Sequence, residues 1–235
     1  NKRFLDGISI SDCGDVDVAY YDIDRNRKII TETVKEILKA GTFPVIVGGD
    51  HSITYPCICA FENYKSLDII QIDAHLDWID EVDGIRYANG SPMRRSMELD
   101  FTKNMVQLGI RDIRSRENDY NFAKSQGSKI FTRQDIRQQG VDEIFKKLSP
   151  LGDVYVSIDI DGLDPSIAPG TGSPTVDGLL YYEVINLLKG ITEKSNVVGF
   201  DIVEVNPTVD LNGQTCLLAT TLILEFLGMI FDKNN

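Results

Sequence analysis

The chain has 235 residues, 42% of them hydrophobic, and a net charge of −12 from 24 basic and 36 acidic residues. This length and composition fit one large α/β domain better than two small ones, so residues 1–235 are interpreted as a single domain. The negative charge argues against a nucleic-acid partner, because no basic stripe is available to release counterions. The chain opens on Asn1 rather than Met, so native N-terminal residues are expected to be missing.

The cysteines and the most apolar segment indicate the environment of the protein. The four cysteines form no C-x-x-C pair and are interpreted as reduced thiols, which favours a cytoplasmic setting. The apolar run at 215–231 is interrupted by Glu225 and by several threonines. It therefore predicts a core helix rather than a membrane span, and no membrane partner is expected.

The predicted elements alternate along the chain. Acidic, irregular residues at 1–26 predict a surface segment, followed by a helix at 27–40 that Gly41 ends. An apolar strand at 43–47 then runs into a tight turn. Further helices are predicted at 53–63, from 92 onward and at 116–126, 134–148, 181–190 and 215–231, and further strands at 67–72, 105–110, 129–131, 154–158 and 197–202.

Short apolar strands that alternate with helices are typical of βαβ units. They predict a three-layer α/β/α fold with a mostly parallel sheet that is covered on both faces. A Pro/Gly-rich loop at 163–178 is flanked by elements of the same kind on both sides. It is therefore interpreted as the rim of an active site and not as a domain linker.

Acidic side chains and both histidines of the chain follow the ends of predicted strands. Residues i, i+2 and i+4 of an extended chain point to one side, so Asp73, His75 and Asp77 are expected to converge. Open parallel sheets bind ligands beyond the carboxyl ends of their strands. A carboxylate cluster there would repel itself unless cations balanced it. The groups at the other strand ends are Asp50, His51, Asp159, Asp161, Asp164 and Glu204.

These groups have the composition of a metal site. Each aspartate alone could serve only as a helix cap or turn residue, but this does not explain why both histidines coincide with the carboxylates. Carboxylates with two imidazoles and no thiolate suit Mn(II), with Zn(II), Fe(II), Ni(II) and Co(II) as alternatives. Six ligands are too many for one ion with open positions. They suit two ions that share carboxylates and supply an activated nucleophile at neutral pH.

Five stretches of the chain resemble, in order, the signatures of the ureohydrolase family, the arginases and agmatinases. They are GGDHS at 48–52, DAHLD at 73–77, SIDIDGLDP at 157–165, APGTGSP at 168–174 and VEVNP at 203–207. The resemblance extends from about Cys13 to the end of the chain and looks closest to the agmatinase branch. It implies an α/β/α fold, two Mn(II) ions per chain, and hydrolysis of a guanidino group to urea and an amine.

The resemblance also implies a role for each candidate residue. Glu204 would pair with the guanidinium of the substrate, for which a carboxylate has the right planar geometry. Asp77 could accept a hydrogen bond from the nucleophile, and Asp73 and Asp159 would bridge the two ions. The implied ligands are His51, Asp73, Asp77 and Asp159 for one ion, and His75, Asp73, Asp159 and Asp161 for the other.

The chain departs from the family at one position that matters for catalysis. Most active members carry a histidine in the loop after the second metal motif, and here Asn89 occupies that place. Asparagine can hydrogen-bond substrate or loop backbone but cannot titrate near neutral pH. General acid–base help is worth roughly 10²–10⁴-fold in rate, so the exchange either impairs turnover or is masked by a slower step.

The identity of the substrate depends on charged residues in two loops. Arg114 stands where arginases usually carry an aspartate that binds the amino-acid end of the substrate, so arginine is disfavoured. Asp80 could face a cationic tail such as the amine of agmatine. Arg114 or Arg86 could instead face a carboxylate, as in guanidinobutyrate. A charged loop can also simply be solvated.

The resemblance therefore implies hydrolysis of agmatine to putrescine, within polyamine metabolism, as the first choice. The alternatives are another guanidino substrate such as guanidinobutyrate, a hydrolase of formimino or amidino groups, and a metal-binding homologue with impaired catalysis. The resemblance also implies two kinds of partner, which are a small cationic guanidino substrate and further copies of the same chain in a trimer or hexamer.

Overall fold

The computed structural model describes residue 5 and residues 7–19 and 21–231. Within these residues, six strands form one sheet in the order β1-β6-β5-β2-β3-β4, and every neighbouring pair is parallel. The parallel sheet predicted from the sequence is confirmed. The strands are β1 (Val45–Val47), β2 (Leu67–Ile72), β3 (Thr102–Ile110), β4 (Lys129–Thr132), β5 (Asp153–Asp159) and β6 (Asn196–Val203).

Helices cover both faces of this sheet. One apolar cluster joins one face to α5–α8, and a second cluster joins the other face to α1–α4. Residues of β2 alternate between the two clusters, with Ile70 and Ile72 in the first and Leu67 and Ile69 in the second. The helices are α1 (Ile23–Lys39), α2 (Thr54–Cys59), α3 (Pro92–Met97), α4 (Glu117–Ser125), α5 (Arg133–Gln139), α6 (Val141–Lys147), α7 (Tyr181–Lys194) and α8 (Gln214–Phe231).

Two helix predictions need correction. The single helix predicted at 134–148 is wrong, because Gly140 adopts φ 78° and separates α5 from α6. The surface segment predicted at 1–26 ends earlier than expected, since α1 already begins at Ile23. The Asp22 side chain accepts a hydrogen bond from the Arg25 N–H and caps this helix. Residues 1–4, 6 and 20 of that segment lie outside the described residues.

The last helix is the most apolar element of the fold. In the described part of the chain, the helical stretch Leu211–Phe231 alone is long and apolar enough to cross a membrane, and a third of it is buried. Leu222 and Phe226 have no exposed surface and belong to the apolar cluster on the α5–α8 face. These contacts agree with the core helix predicted from the sequence.

The strand register brings four strand ends to one level. Ile72 of β2 pairs with Ile158 of β5, Ile158 pairs with Ile202 of β6, and Ile202 pairs with Val47 of β1. After β2 the chain continues to β3 on one side of β2, while β5 lies on the other side of β2. The order of the strands therefore reverses between β2 and β5, and a crevice forms beyond the strand ends at such a point of a parallel sheet.

Candidate metal centre

The four adjacent strand ends deliver the candidate ligands. Asp73 follows β2 directly, and Asp159 is the last residue of β5. His51 begins a short 3₁₀ turn after β1, and Glu204 follows β6. Two other strand-end carboxylates belong to turns. The Asp50 side chain accepts from the Ser52 N–H, and Asp164 accepts from the N–H groups of Ser166 and Gly178.

The first group of ligand atoms surrounds His51. Its Nδ1 lies 2.7 Å from Oδ2 of Asp77 and 3.1 Å from Oδ2 of Asp73. Ligand atoms of these three residues lie within 4.8 Å of one another. Asp77 adopts φ 55°, a left-handed conformation that aspartate tolerates better than most residues.

The second group surrounds His75. Its Nδ1 lies 3.0 Å from Oδ2 of Asp161 and 3.4 Å from Oδ1 of Asp73. The ligand atoms of His75, Asp73 and Asp161 also lie within 4.8 Å of one another. Asp73 is completely buried and belongs to both groups, offering one oxygen to each imidazole. This is the arrangement expected of a carboxylate that bridges two ions.

A divalent cation fits this arrangement. The Nδ1 atom of His51 is buried and makes no hydrogen bond to the residues that the structure describes, although carboxylate oxygens surround it. Imidazole nitrogens and carboxylate oxygens are the donors that Mn(II) and related ions accept. Oδ2 of Asp159 lies 3.2 Å from the same Nδ1, but Asp159 is in neither group of mutually close donors. Its bridging role stays a prediction from the sequence.

The crowded carboxylates perturb one another. Burial, together with the charge of Asp73, raises the pKa of Asp77 to about 7 and that of Asp161 to about 6. Burial works to lower the pKa of His75, but the carboxylates of Asp161 and Asp73 outweigh it and raise that pKa to about 11. This centre therefore holds protons that a cation would displace.

The comparisons with known proteins identify the family of the chain. The family model for the Arginase family matches residues 1–228. The chain belongs to the Arginase family. It is 35% identical over 233 residues to a mitochondrial agmatinase of Gallus gallus, covering 96% of this chain and 68% of the relative. It is 35% identical over 226 residues to a mitochondrial guanidino acid hydrolase of Homo sapiens, covering 94% of this chain and 64% of the relative.

A solved structure of similar sequence confirms the fold. Proclavaminate amidino hydrolase from Streptomyces clavuligerus superposes with a TM-score of 0.89 at 33% identity, covering 97% of this chain and 77% of that one. The present chain thus spans about two thirds to three quarters of the length of these relatives. The family and fold that the sequence motifs predicted are confirmed.

A second layer of this Arginase-family site was not predicted from the sequence. Nε2 of His51 lies 2.9 Å from Oγ of Ser157, and the Ser157 hydroxyl donates to Oδ1 of Asp201 at 2.7 Å. Asp201 is completely buried and also accepts from the hydroxyls of Thr54 and Tyr155. These bonds fix the His51 ring with Nδ1 directed at the carboxylates. The signal in the sequence was an aspartate inside the apolar strand predicted at 197–202.

A buried amide network orients Asp73 in the same way. Nε2 of Gln71 donates to Oδ2 of Asp73 at 2.6 Å, and Gln107 donates to Oε1 of Gln71. The indole N–H of Trp78 donates to Oε1 of Gln107 at 3.0 Å. Every side chain in this network is buried, so Asp73 cannot rotate freely out of its position between the two imidazoles.

Beyond the carboxylates lies a cavity of about 240 Å³ that holds several predicted substrate contacts. Glu204, Asn89 and Arg114 line it, together with both histidines. Asp80 does not line it. Oδ1 of Asp80 accepts from Arg95 at 2.7 Å, and its carboxylate also lies within ion-pair distance of Arg94 and Arg86. The geometry gives no support to Asp80 as a substrate contact, because its charge is already balanced outside the cavity.

We expect Asp201→Asn to lower the affinity for Mn(II) by about 10–100-fold without removing a ligand, since Asp201 acts through Ser157 on His51. Equilibrium dialysis with metal analysis measures this loss. Tyr155→Phe is the matched control, because it removes one hydrogen bond to Oδ2 of Asp201 and keeps the hydrogen bonds that connect Asp201 through Ser157 to His51. Equal metal affinity in Asp201→Asn and the native chain would contradict the positioning role.

Proposed function

We propose that the chain hydrolyses the guanidino group of a small substrate to urea and an amine, with two divalent cations, Mn(II) by preference. The observation that carries this proposal is the pair of ligand groups sharing Asp73, which opens into a cavity lined by Glu204. The names of the relatives support the same chemistry. Among them are an agmatinase, a guanidino acid hydrolase and a guanidinobutyrase from Pseudomonas aeruginosa.

Two groups of side chains would hold the ions. His51, Asp77 and Asp73 face one position, and His75 and Asp161 face the other across the shared Asp73. Bound ions lower the pKa of water, so that a nucleophile is available at neutral pH. Asp159, in contact with His51, would complete the first position.

Glu204 is proposed to bind and orient the guanidinium. Its Oε1 accepts a hydrogen bond from the His51 N–H at 2.9 Å, and its own N–H donates to the Gly49 carbonyl. It adopts φ 62°, an unfavourable conformation for a residue other than glycine, which these contacts hold in place. The carboxylate thereby faces the cavity beside the metal ligands, where it would pair with a planar cation.

Asp77 and Asn89 are proposed to act on the reacting groups. Asp77 belongs to a ligand group and lines the cavity, so its carboxylate would accept a hydrogen bond from the nucleophile. Asn89 lies on the same cavity wall and would hydrogen-bond the substrate without exchanging a proton.

Urea release is the test of this function. The chain, loaded with Mn(II) and with its metal content measured, is incubated with agmatine, guanidinobutyrate, guanidinopropionate and arginine. Urea from at least one compound supports the proposal. Formamide or ammonia from a formimino or amidino compound would indicate another hydrolase on the same scaffold. No product from any compound at full metal loading would overturn the proposal.

A second candidate is a metal-binding homologue with impaired turnover. It is favoured by one observation: Asn89 lies on the cavity wall, and both histidines of the chain already belong to the two ligand groups. Because the proposal takes the native chain to be active, we expect Asn89→His to change the rate of urea release by less than about tenfold. A gain of roughly 10²–10⁴-fold from near zero would favour the second candidate, since this is what a general acid–base contributes. Metal content, measured in parallel, shows whether both proteins are equally loaded.

The finer predictions of the sequence remain proposals. The comparisons leave the choice between agmatine and a guanidino acid open. A cytoplasmic setting and a homo-oligomer also stay predictions. Sedimentation would measure the number of subunits in the oligomer.

A further inference from the structure

Arg114 occupies the wall of the cavity next to the metal ligands. Its Nε donates to Oδ1 of Asp112 at 2.9 Å, and its Nη2 lies 2.9 Å from Oγ of Ser173 and 2.5 Å from Nε2 of His75. The side chain is 61% exposed, although it lines the same cavity as Glu204. One edge of the guanidinium is therefore anchored, and the other edge remains accessible from the cavity.

The accessible edge of Arg114 lacks an anionic partner. Nη2 contacts a hydroxyl group and an imidazole nitrogen, which carry no negative charge. The Nδ1 atom of His75 faces Asp73 and Asp161. A substrate carboxylate would offer Nη2 the charged acceptor that its two contacts, the hydroxyl and the imidazole, lack.

The other two charged residues that the sequence analysis proposed for the tail of the substrate do not line the cavity. Asp80 is surrounded by arginines, and Arg86 contacts Asp80 and Glu98 outside the cavity lining. The sequence proposed Asp80 for an ammonium and Arg86 or Arg114 for a carboxylate. Of these three residues, the fold brings only Arg114 to the wall of the cavity.

Besides the candidate ligands and Glu204, two carboxylates line the cavity, and one of them competes with this assignment. Asp112 is already paired with Nε of Arg114, whereas Oδ2 of Asp119 is buried without a hydrogen-bond partner in the described part of the chain. Asp119 also lies in the first turn of α4, where the helix dipole favours a negative charge without any ligand. It is the group that a substrate with a terminal ammonium would contact, so a variant of Asp119 tests that alternative.

We propose that the substrate is a short-chain guanidino acid whose carboxylate is bound by Arg114, an inference that rests on the proposed function. Glu204 receives the cationic end and Arg114 the anionic end of the same molecule. Arg114 directly contacts the far nitrogen of His75, whose near nitrogen faces the metal position. Arg114 thus lies about one imidazole ring from the metal position, which suits a substrate with a short carbon chain.

Steady-state kinetics on guanidinobutyrate, guanidinopropionate and agmatine test this assignment in the Mn(II)-loaded chain. We expect the native chain to prefer the guanidino acids. Arg114→Ala should lower kcat/KM for them by about 10–100-fold, the usual contribution of hydrogen bonds to a charged group, and should lower it less for agmatine, which has no carboxylate. Arg114→Glu should invert the preference towards agmatine. Arg86→Ala is the matched control, since it removes an exposed arginine outside the cavity and should leave kcat/KM unchanged for all three compounds.

The opposite results are equally well defined. Preference for agmatine, with a loss in Asp119→Asn and none in Arg114→Ala, would overturn the assignment and leave the proposed function intact. If no compound yields urea, the proposed function fails, and guanidinobutyrate becomes a stable probe for calorimetry. Binding that Arg114→Ala weakens would still support the carboxylate site, and binding that the substitution leaves unchanged would overturn it.

Discussion

Replacing Asp73 with asparagine is expected to remove both metal ions rather than one. Asp73 offers Oδ2 to the position beside His51 and Oδ1 to the position beside His75, and it is completely buried between them. Loss of a residue that only supports a ligand costs about 10–100-fold in metal affinity. Loss of a shared ligand should cost more than about 100-fold at each position, and urea release should fall with it. Metal analysis after dialysis measures both occupancies at once.

Asp68 provides the control for this experiment. It is a buried aspartate on the same strand, but at the opposite end from the ligands, where it accepts from the N–H groups of Asn104 and Gly152. Asp68→Asn should therefore lower thermal stability and leave the metal content unchanged. Circular dichroism establishes that both variants remain folded. One ion per chain, held by Asp73→Asn with native affinity, would contradict the shared position.

Local spacing explains why most of the metal centre could be predicted. Asp73, His75 and Asp77 lie two residues apart, and an extended chain directs such residues to one side. The parallel sheet follows from alternating elements, and it places the ends of its strands at one edge. Those two arguments sufficed to associate His51, Asp159 and Asp161 with the first stretch before any contact was known.

Contacts between distant segments explain what could not be predicted. Ser157 and Asp201 meet because β5 and β6 are neighbours in register, a pairing that no local pattern encodes. Asp80 pairs with Arg94 and Arg95 of α3 instead of facing the cavity. The charges in the loop around Asp80 do not reveal this pairing, because they are the same with or without it. The break at Gly140 was visible as a glycine, but only its positive φ shows that the chain ends one helix there.

Glu204→Gln is expected to weaken guanidinium binding strongly while leaving both ions in place. Glutamine keeps the shape of the side chain and the bond from the His51 N–H, so only the negative charge is lost. Truncating one partner of a buried charge pair costs about 2–5 kcal/mol, which corresponds to a fall of roughly 30- to 5,000-fold in kcat/KM. Glu62→Gln, which alters an exposed glutamate paired with Lys35, serves as the control and should behave like the native chain.

The change in kcat/KM for each guanidino compound distinguishes guanidinium binding by Glu204 from the roles proposed for Arg114 and Asp73. All the guanidino compounds share the group that Glu204 is proposed to bind, so Glu204→Gln should weaken each of them by a similar factor. Arg114→Ala should weaken the acids more than agmatine, and Asp73→Asn should lose metal before it loses substrate. A Glu204→Gln variant that retained native kcat/KM at full metal loading would place the guanidinium elsewhere in the cavity. A loss confined to one compound would instead assign Glu204 to the variable end of the substrate.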